Sequence, residues 1–220
     1  MKLLHARLLG WTATFRLPMF YTGTGLTSPL PPYSTLLGLL GNLAGRDVGP
    51  GETRIGYTFR SSGSDFDLES LQRLKVEKGR LKEQPDRNVA KRQFLVRPQL
   101  DLYLDNIADF APVLENPANV PCLGRSQDVA WIEKLEEVEA EPVEQGTIHN
   151  TLVPFPQPGA SGLILVLPDY FHNADDGHTR TPGRMRQFQV VSTPSLVRRE
   201  GLFRVPSCEH AIYLHQMDGS

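Results

Sequence analysis

The chain has 220 residues, a formal net charge of −2 and 40% hydrophobic residues. This length sets an expectation of one or two domains, and the composition excludes a chain that is disordered throughout. The net charge excludes a polycation that coats nucleic acid generally, but it is compatible with a local basic groove. The two cysteines provide no disulfide framework, and no stretch approaches the ~20 apolar residues that span a bilayer. We therefore expect a cytoplasmic protein that does not bind a membrane.

Loops rich in glycine and proline separate short predicted elements along the chain. In chain order we expect a strand over 2–16, a helix over 36–43 capped by Ser34 or Thr35 and ended by Gly45, a strand over 53–60, a strand pair over 73–97 with a polar tip at 83–88, a half-buried strand over 94–104, a turn-rich stretch over 105–127, a strand or amphipathic helix over 128–139, and a buried strand over 163–167.

This order of elements predicts an α+β protein with a ferredoxin-like βαββαβ core, from which the strand pair protrudes as a basic hairpin. We expect one domain over residues 1–145, which includes the hairpin at about 73–97. Residues 146–220 are expected to form a β-rich C-terminal extension packed on that domain.

Charged residues are sorted along the chain. Acids dominate 128–144, where Lys134 is the only base. Bases dominate 73–97, namely Arg73, Lys75, Lys78, Arg80, Lys82, Arg87, Lys91, Arg92 and Arg97. Because phosphates are attracted to a basic surface, we predict that the hairpin contacts nucleic acid and that the acidic stretch faces away from it or meets a basic partner. A solvated protrusion without a ligand is the alternative interpretation.

Motifs for other chemistries are incomplete. Gly23-Thr24-Gly25 begins like a dinucleotide fingerprint, but it lacks the third glycine and runs into prolines. One loop contains possible metal ligands at spacings that match no standard zinc or calcium site, namely His172, Asp175, Asp176 and His178. We therefore expect neither a cofactor nor a metal.

Two segments carry a resemblance to a known family. The first runs from Thr27 to Asn42 and contains a Pro-Pro-Tyr-Ser-Thr junction, and the second runs from Pro121 to Asp128 and contains Leu-Gly-Arg-Ser. They resemble the loop–helix junction and the Leu-Gly-Arg-Ser segment of the fifth CRISPR-associated (Cas) family, and the layout is most similar to type I-B. Both segments occur in order, with the basic hairpin between them.

The resemblance implies an RNA-recognition-type (RRM-type) core with a protruding β-hairpin "thumb" in a subunit of a type I Cascade surveillance complex. Such a subunit holds the 5′ handle of the CRISPR RNA (crRNA) and caps the backbone filament. Its implied partners are the crRNA 5′ handle, the Cascade backbone subunit, the Cascade large subunit and, indirectly through the complex, target DNA.

Candidate RNA-binding residues follow from this resemblance and from the chemistry of the side chains. Hydroxyls and free N–H groups at a helix start can bind a phosphate, the Tyr33 ring can stack on an unpaired base, and Arg125 can make a two-pronged phosphate contact. The candidates are Tyr33, Ser34, Thr35, Arg54, Lys75, Lys78, Arg80, Lys82, Lys91, Arg92, Arg97, Arg125 and Ser126.

One departure from the family pattern bears on catalysis. The type I-C branch is expected to cut precursor RNA with a Tyr, Lys and His grouping, whereas here Lys91 and Arg92 have no adjacent histidine and none lies between His5 and His149. The acid–base pair that 2′-OH attack requires is missing from the expected segment, so we predict a non-catalytic subunit. The alternatives are a precursor-processing endoribonuclease of the same family and a protein-interaction module on the same fold.

Overall fold

The structure is a computed structural model that describes residues 1–17, 23–71, 74–77, 79–83, 88–174 and 179–217. Within these residues the helices are α1 (Tyr33–Ala44) and α2 (Ile107–Glu115). The strands are β1 (Lys2–Gly10), β2 (Thr12–Ala13), β3 (Thr24–Gly25), β4 (Ile55–Arg60), β5 (Gly63–Leu71), β6 (Leu74–Glu77), β7 (Arg80–Glu83), β8 (Asn88–Val96), β9 (Gln99–Leu104), β10 (Ala130–Glu139), β11 (Glu141–Ile148), β12 (Thr151–Pro154), β13 (Ile164–Pro168), β14 (Phe171–Asn173), β15 (Arg180–Pro182), β16 (Met185–Val191), β17 (Ser195–Arg204) and β18 (Ile212–Tyr213).

The central sheet has the strand order β10-β1-β9-β4, and every neighbouring pair is antiparallel. In chain order these strands and the helices run β1, α1, β4, β9, α2, β10. Alternate side chains of β1, among them Leu4, Ala6 and Leu8, lie in the same buried cluster as the apolar residues of both helices. Since successive side chains of a strand point to opposite faces, both helices cover one face of this sheet.

Helix α1 buries an apolar stripe that includes Leu36, Leu40 and Leu43, at the spacing of one helix face. Gly45 ends it in the left-handed conformation with φ of 65°, as the sequence predicts. The predicted N-cap is wrong, because the helix begins one turn earlier and Pro32 occupies the cap position without a side-chain hydrogen bond.

Helix α2 lies within a stretch that the sequence predicts to be rich in turns. The Asn106 side chain caps it by accepting a hydrogen bond from the Asp109 N–H at 3.3 Å. Phe110 and Leu114, four residues apart, are both buried against the sheet and hold the helix in spite of Pro112. The prolines of this stretch predict turns, but packing against the sheet stabilises a helix there.

The residues after β10 form smaller sheets with the orders β11-β17-β18 and β12-β16-β13. Leu3 and Tyr103, which point away from the helices, pack in a second cluster with Phe203 and Ile212. The C-terminal part thus covers part of the central sheet on the face opposite the helices. The predicted buried strand over 163–167 exists as β13, but it is only partly buried: Ile164 and Val166 are exposed on this edge strand.

A long hairpin leaves the central sheet between β4 and β9. Strand β5 pairs with β8 from Gly63 opposite Val96 to Leu71 opposite Asn88, and β6 pairs with β7 between them. We call residues 63–96 the hairpin arm. The predicted strand pair over 73–97 is therefore too short, since its first strand begins at Gly63. Part of the predicted tip, residues 84–87, lies outside the described residues.

Two other expectations concern the rest of the chain. The stretch 128–139 is the strand β10 and not a helix. The alternation over 94–104 belongs to two strands, the end of β8 and all of β9, which a turn at Arg97 and Pro98 separates. Among the described residues, neither helix has the length and apolar character needed to cross a membrane.

Candidate nucleic-acid interface

The far end of the hairpin arm presents two lysines around one carboxylate. Lys75 on β6 lies directly opposite Lys82 on β7, and their ammonium groups contact the Glu77 carboxylate at 3.3 and 2.9 Å. Hydrogen bonds from Lys82 and then Lys75 hold the pKa of Glu77 below its ordinary value. Such exposed pairs are weak, so these lysines, together with exposed Arg80, can exchange the carboxylate for a phosphate. Lys78 lies outside the described residues.

Nearer the base of the arm, one face combines an aromatic ring with a cation. Phe66 on β5 is 41% exposed, and the Lys91 ammonium lies 4.4 Å from its ring centroid. Leu68, directly opposite Lys91, is also exposed on this face. An exposed ring beside an ammonium group suits a base that stacks on the ring while its phosphate contacts the cation. Sequence reasoning missed Phe66, because only the strand register brings it beside Lys91.

Arg92 lies on the other face of the arm and is committed to an ion pair. Its Nε lies 2.5 Å from Glu69 Oε2, and the side chain is mostly buried. A Cβ on Gly25 would lie 2.9 Å from Arg92 Nη1, so β3 approaches this guanidinium closely. These contacts hold the Arg92 side chain against β5 and β3, mostly away from solvent. They also show that acids on β5, which the charge pattern of 73–97 does not include, offset part of the basic character of β8.

The Leu-Gly-Arg-Ser segment forms a clasp around a buried carboxylate. The Asp128 side chain is fully buried, and it accepts hydrogen bonds from Thr12 Oγ1 at 2.6 Å and from Arg125 Nε and Nη2 at 3.1 and 3.2 Å. Gly124 has φ of 114°, and a Cβ there would lie 1.8 Å from the Thr14 carbonyl oxygen. The Arg125 guanidinium, which the sequence suggests for a two-pronged phosphate contact, thus lies against a carboxylate of its own chain and is only 20% exposed.

The loop–helix junction is buried instead of facing solvent. Tyr33 is 1% exposed, and its hydroxyl donates a hydrogen bond to the Leu152 carbonyl at 2.8 Å. Its ring lies 4.2 Å from the buried His215 ring, so Tyr33 cannot stack on a base in this conformation. Burial is the main reason that the pKa of Tyr33 lies well above its ordinary value, so the hydroxyl stays protonated. Ser34 and Thr35 are half-buried in the first turn of α1.

The remaining candidates lie apart from one another. Arg54 pairs with Asp105, Nε to Oδ2 at 2.7 Å; burial alone would raise the pKa of this carboxyl, but the hydrogen bonds from Arg54 lower it. Arg97 is exposed at the base of the arm, in the left-handed conformation with φ of 47°, and its N–H donates to the Trp11 carbonyl. Ser126 is exposed on the clasp. The interface defined by the structure is thus the hairpin arm with its base.

The described residues offer no cluster of metal-binding side chains. No group of three or more His, Cys, Asp or Glu side chains there is arranged to hold a metal ion. Of the loop cluster considered above, His172 is described and exposed, whereas residues 175–178 lie outside the described residues.

The fold and this interface define an α+β protein that carries a charged hairpin arm. The sequence matches the family model described as CRISPR-associated protein (Cas_Cas5) over residues 3–206, so the chain belongs to the CRISPR-associated Cas5 family. This confirms the family that the sequence resembles. A comparison with curated proteins finds no match.

Several solved structures have a similar fold. A chain of a CRISPR RNA-guided surveillance complex is 17% identical with a TM-score of 0.55, and the alignment covers 89% of this chain and 91% of that one. A CRISPR protein from Archaeoglobus fulgidus is 12% identical with a TM-score of 0.50, covering 98% and 100%. A chain of the type III-B Cmr-beta complex bound to cognate target RNA and AMPPnP is 11% identical with a TM-score of 0.51, covering 90% and 86%. At these identities the likeness concerns the fold.

Proposed function

We propose that this chain is a non-catalytic RNA-binding subunit of a type I CRISPR Cascade complex in the cytoplasm, where it holds the 5′ handle of the crRNA and caps the backbone filament. The observation that carries the proposal is the hairpin arm, which places Phe66 and Lys91 on one exposed face and Lys75 and Lys82 at its far end. Stacking surfaces and lysines in one groove are the features that bind single-stranded nucleic acid. Membership of the Cas5 family supports RNA as the ligand.

The proposal includes a ferredoxin-like, RRM-type core whose thumb is the hairpin arm. It is supported by the element order β1, α1, β4, β9, α2, β10 and by the sheet order β10-β1-β9-β4, which is the arrangement of a split βαβ fold. The proposed partners are the Cascade backbone and large subunits, with target DNA reached through the complex. The similar fold of a chain in an RNA-guided surveillance complex supports this assembly.

The positions of the histidines support the proposal of a non-catalytic role. The two ring nitrogens of buried His5 lie 2.9 Å from an Asp101 oxygen and 3.1 Å from a Glu136 oxygen. His215 is buried beside Tyr33. Attack by an RNA 2′-OH requires an acid and a base within hydrogen-bond reach of the RNA. The more accessible histidines, His149, His172 and His210, lie outside the hairpin arm, and the sequence of the arm itself contains no histidine.

The test of handle binding is fluorescence anisotropy of a labelled handle RNA with the purified chain, measured over a series of salt concentrations. Because each single-strand phosphate contact contributes about 0.7 to the slope of log affinity against log salt, K75Q/K82Q should lower the magnitude of the slope by about 1.4. Phe66→Ala should weaken binding by about 1–3 kcal/mol without changing the slope. Lys2→Gln is the matched control, since Lys2 is an equally exposed lysine on β1.

Two results would contradict the proposal. Affinity that is independent of salt, or arm variants that bind as Lys2→Gln does, would favour the protein-interaction module. Cleavage of a cognate repeat RNA at a defined site in the presence of a metal chelator would favour the processing endoribonuclease. We expect the repeat RNA to stay intact.

A further inference from the structure

A second surface lies along the outer edge of β10, the last strand of the central sheet. It contains a groove of about 540 Å³, which α2 and the loop after it line with Leu114, Glu115, Pro117 and Pro121 and which β10 lines with residues 130–135. We call this groove, with the adjoining Trp11, the β10 edge surface. Trp11 belongs to it because its ring centroid lies 6.0 Å from that of Trp131.

The backbone of this edge is open to pairing beyond Ala130, whose N–H donates a hydrogen bond to the Pro121 carbonyl at 2.9 Å. Strand β10 is the last strand of the central sheet and pairs with β1, and among the described strands no other pairs with it. A strand in this position presents a row of N–H and C=O groups that an extended segment can engage as an additional strand.

Exposed aromatic rings mark the same edge. Trp11 is 70% exposed and Trp131 is 41% exposed, and Val120 and Val129 are exposed next to groove residues in the sequence. Tryptophan side chains are enriched among the residues that contribute most to protein–protein binding, and clustered exposed apolar groups on a soluble domain mark interaction sites. The groove beside Trp131 can accept an apolar side chain of the partner.

The negative charge of the β10 edge surface favours a positively charged partner. Glu115, Glu133, Glu137 and Glu139 are exposed, and the only base on β10 is Lys134. Lys2 and Lys134 pair with Glu137 and Glu136, which leaves the edge acidic overall. Phosphates are repelled by such a surface, whereas a segment containing lysine or arginine complements it.

We propose that the β10 edge surface binds an extended, lysine- or arginine-containing segment of a protein partner. The segment adds a strand to the central sheet along β10, inserts an apolar side chain into the groove between α2 and β10, packs against Trp131, and places its cations opposite the glutamates. This inference concerns a protein contact and does not depend on the RNA ligand of the arm.

The test places a photo-crosslinking amino acid at Trp131 in the full chain, co-expressed with the backbone and large subunits of the same CRISPR locus and a guide RNA. A second protein carries it at Leu196, which is 57% exposed on β17 and serves as the control. We expect a crosslink from position 131 to a basic, extended segment of one protein subunit, and a much lower yield from position 196. A crosslink to the guide RNA, to a second copy of the chain or to an acidic segment overturns the inference, as does an equal yield from both positions.

Variants measure the contribution of the aromatic anchor and of the charges. Trp131→Ala should lower retention of the partner subunit at least tenfold, while handle RNA affinity stays within twofold of wild type; Leu196→Ala should change neither. E133K/E139K alters only exposed side chains and tests the role of the acidic residues. This variant should also lower retention of the partner subunit. Unchanged retention in both variants overturns the inference. Failure of the wild-type chain to assemble with these subunits would instead count against the proposed function.

Discussion

Breaking the clasp around Asp128 should destabilise the whole chain, because this buried carboxylate joins Arg125 in its own loop to Thr12, which is far away in sequence. Asp128 connects the loop before β10 to Thr12 on β2 and to the Arg125 guanidinium. Asp128→Ala removes three side-chain hydrogen bonds to a fully buried carboxylate and leaves a mostly buried guanidinium without its partner. We therefore expect a larger effect than an exposed ion pair could produce.

The magnitude follows from the burial of the two groups. Removing one partner of a buried ion pair costs about 3–5 kcal/mol, and the partial exposure of Arg125 places Asp128→Ala near the lower end, at about 3 kcal/mol. For a chain of this length that corresponds to a fall in Tm of roughly 6–12 °C. Arg125→Ala should cost about 2 kcal/mol, since Asp128 keeps its bond from Thr12.

A double-mutant cycle measured by urea unfolding and thermal melts is the appropriate assay. The pair should show a coupling free energy of about 2 kcal/mol, in the range found for residues in direct contact. Ser126→Ala is the matched control, because Ser126 is exposed in the same loop and should change stability by less than about 0.5 kcal/mol. A coupling below about 0.5 kcal/mol would refute the structural role and return Arg125 to the set of RNA contacts.

Three further predictions concern stability. Burial would raise the pKa of Asp101, but hydrogen bonds from its neighbours lower it from 3.8 to about 2. The ionised carboxylate should therefore contribute about 2 kcal/mol to the free energy of unfolding above pH 3.8, and this contribution should be lost as the pH falls through about 2. Asp101→Asn should lack this pH-dependent contribution when unfolding is followed by acid titration. Gly124→Ala should cost more than about 2 kcal/mol in urea unfolding because its Cβ would overlap a backbone oxygen, whereas Gly38→Ala, in open space on α1, should stabilise by about 0.5–1 kcal/mol; equal effects would contradict the geometry. Tyr33→Phe should lower stability by about 1–2 kcal/mol in thermal melts and leave handle RNA affinity unchanged, and a loss of affinity without a loss of stability would show that the hydroxyl reaches RNA.

The candidate site was predicted in part. The basic character of 73–97 identified the strand that carries Lys91 and the two lysines around Glu77, because charge patterns are local in sequence. The pattern could not show that Arg92 pairs with Glu69, because that acid lies on the partner strand β5. The contact between Phe66 and Lys91 could not be predicted for the same reason, since only the strand register brings the ring beside the ammonium group.

The sequence by itself determined the family, through two short segments whose order and spacing require no knowledge of the fold. It also determined the positions of α1 and of several strands, among them β4 and β13, because the period of apolar residues depends on near neighbours. The tertiary structure alone decided which residues of those segments face solvent. Tyr33 is buried against Leu152, and Arg125 lies against a carboxylate bound to Thr12. These contacts join positions about a hundred residues apart, and exposure follows from such long-range packing, which a local pattern does not record.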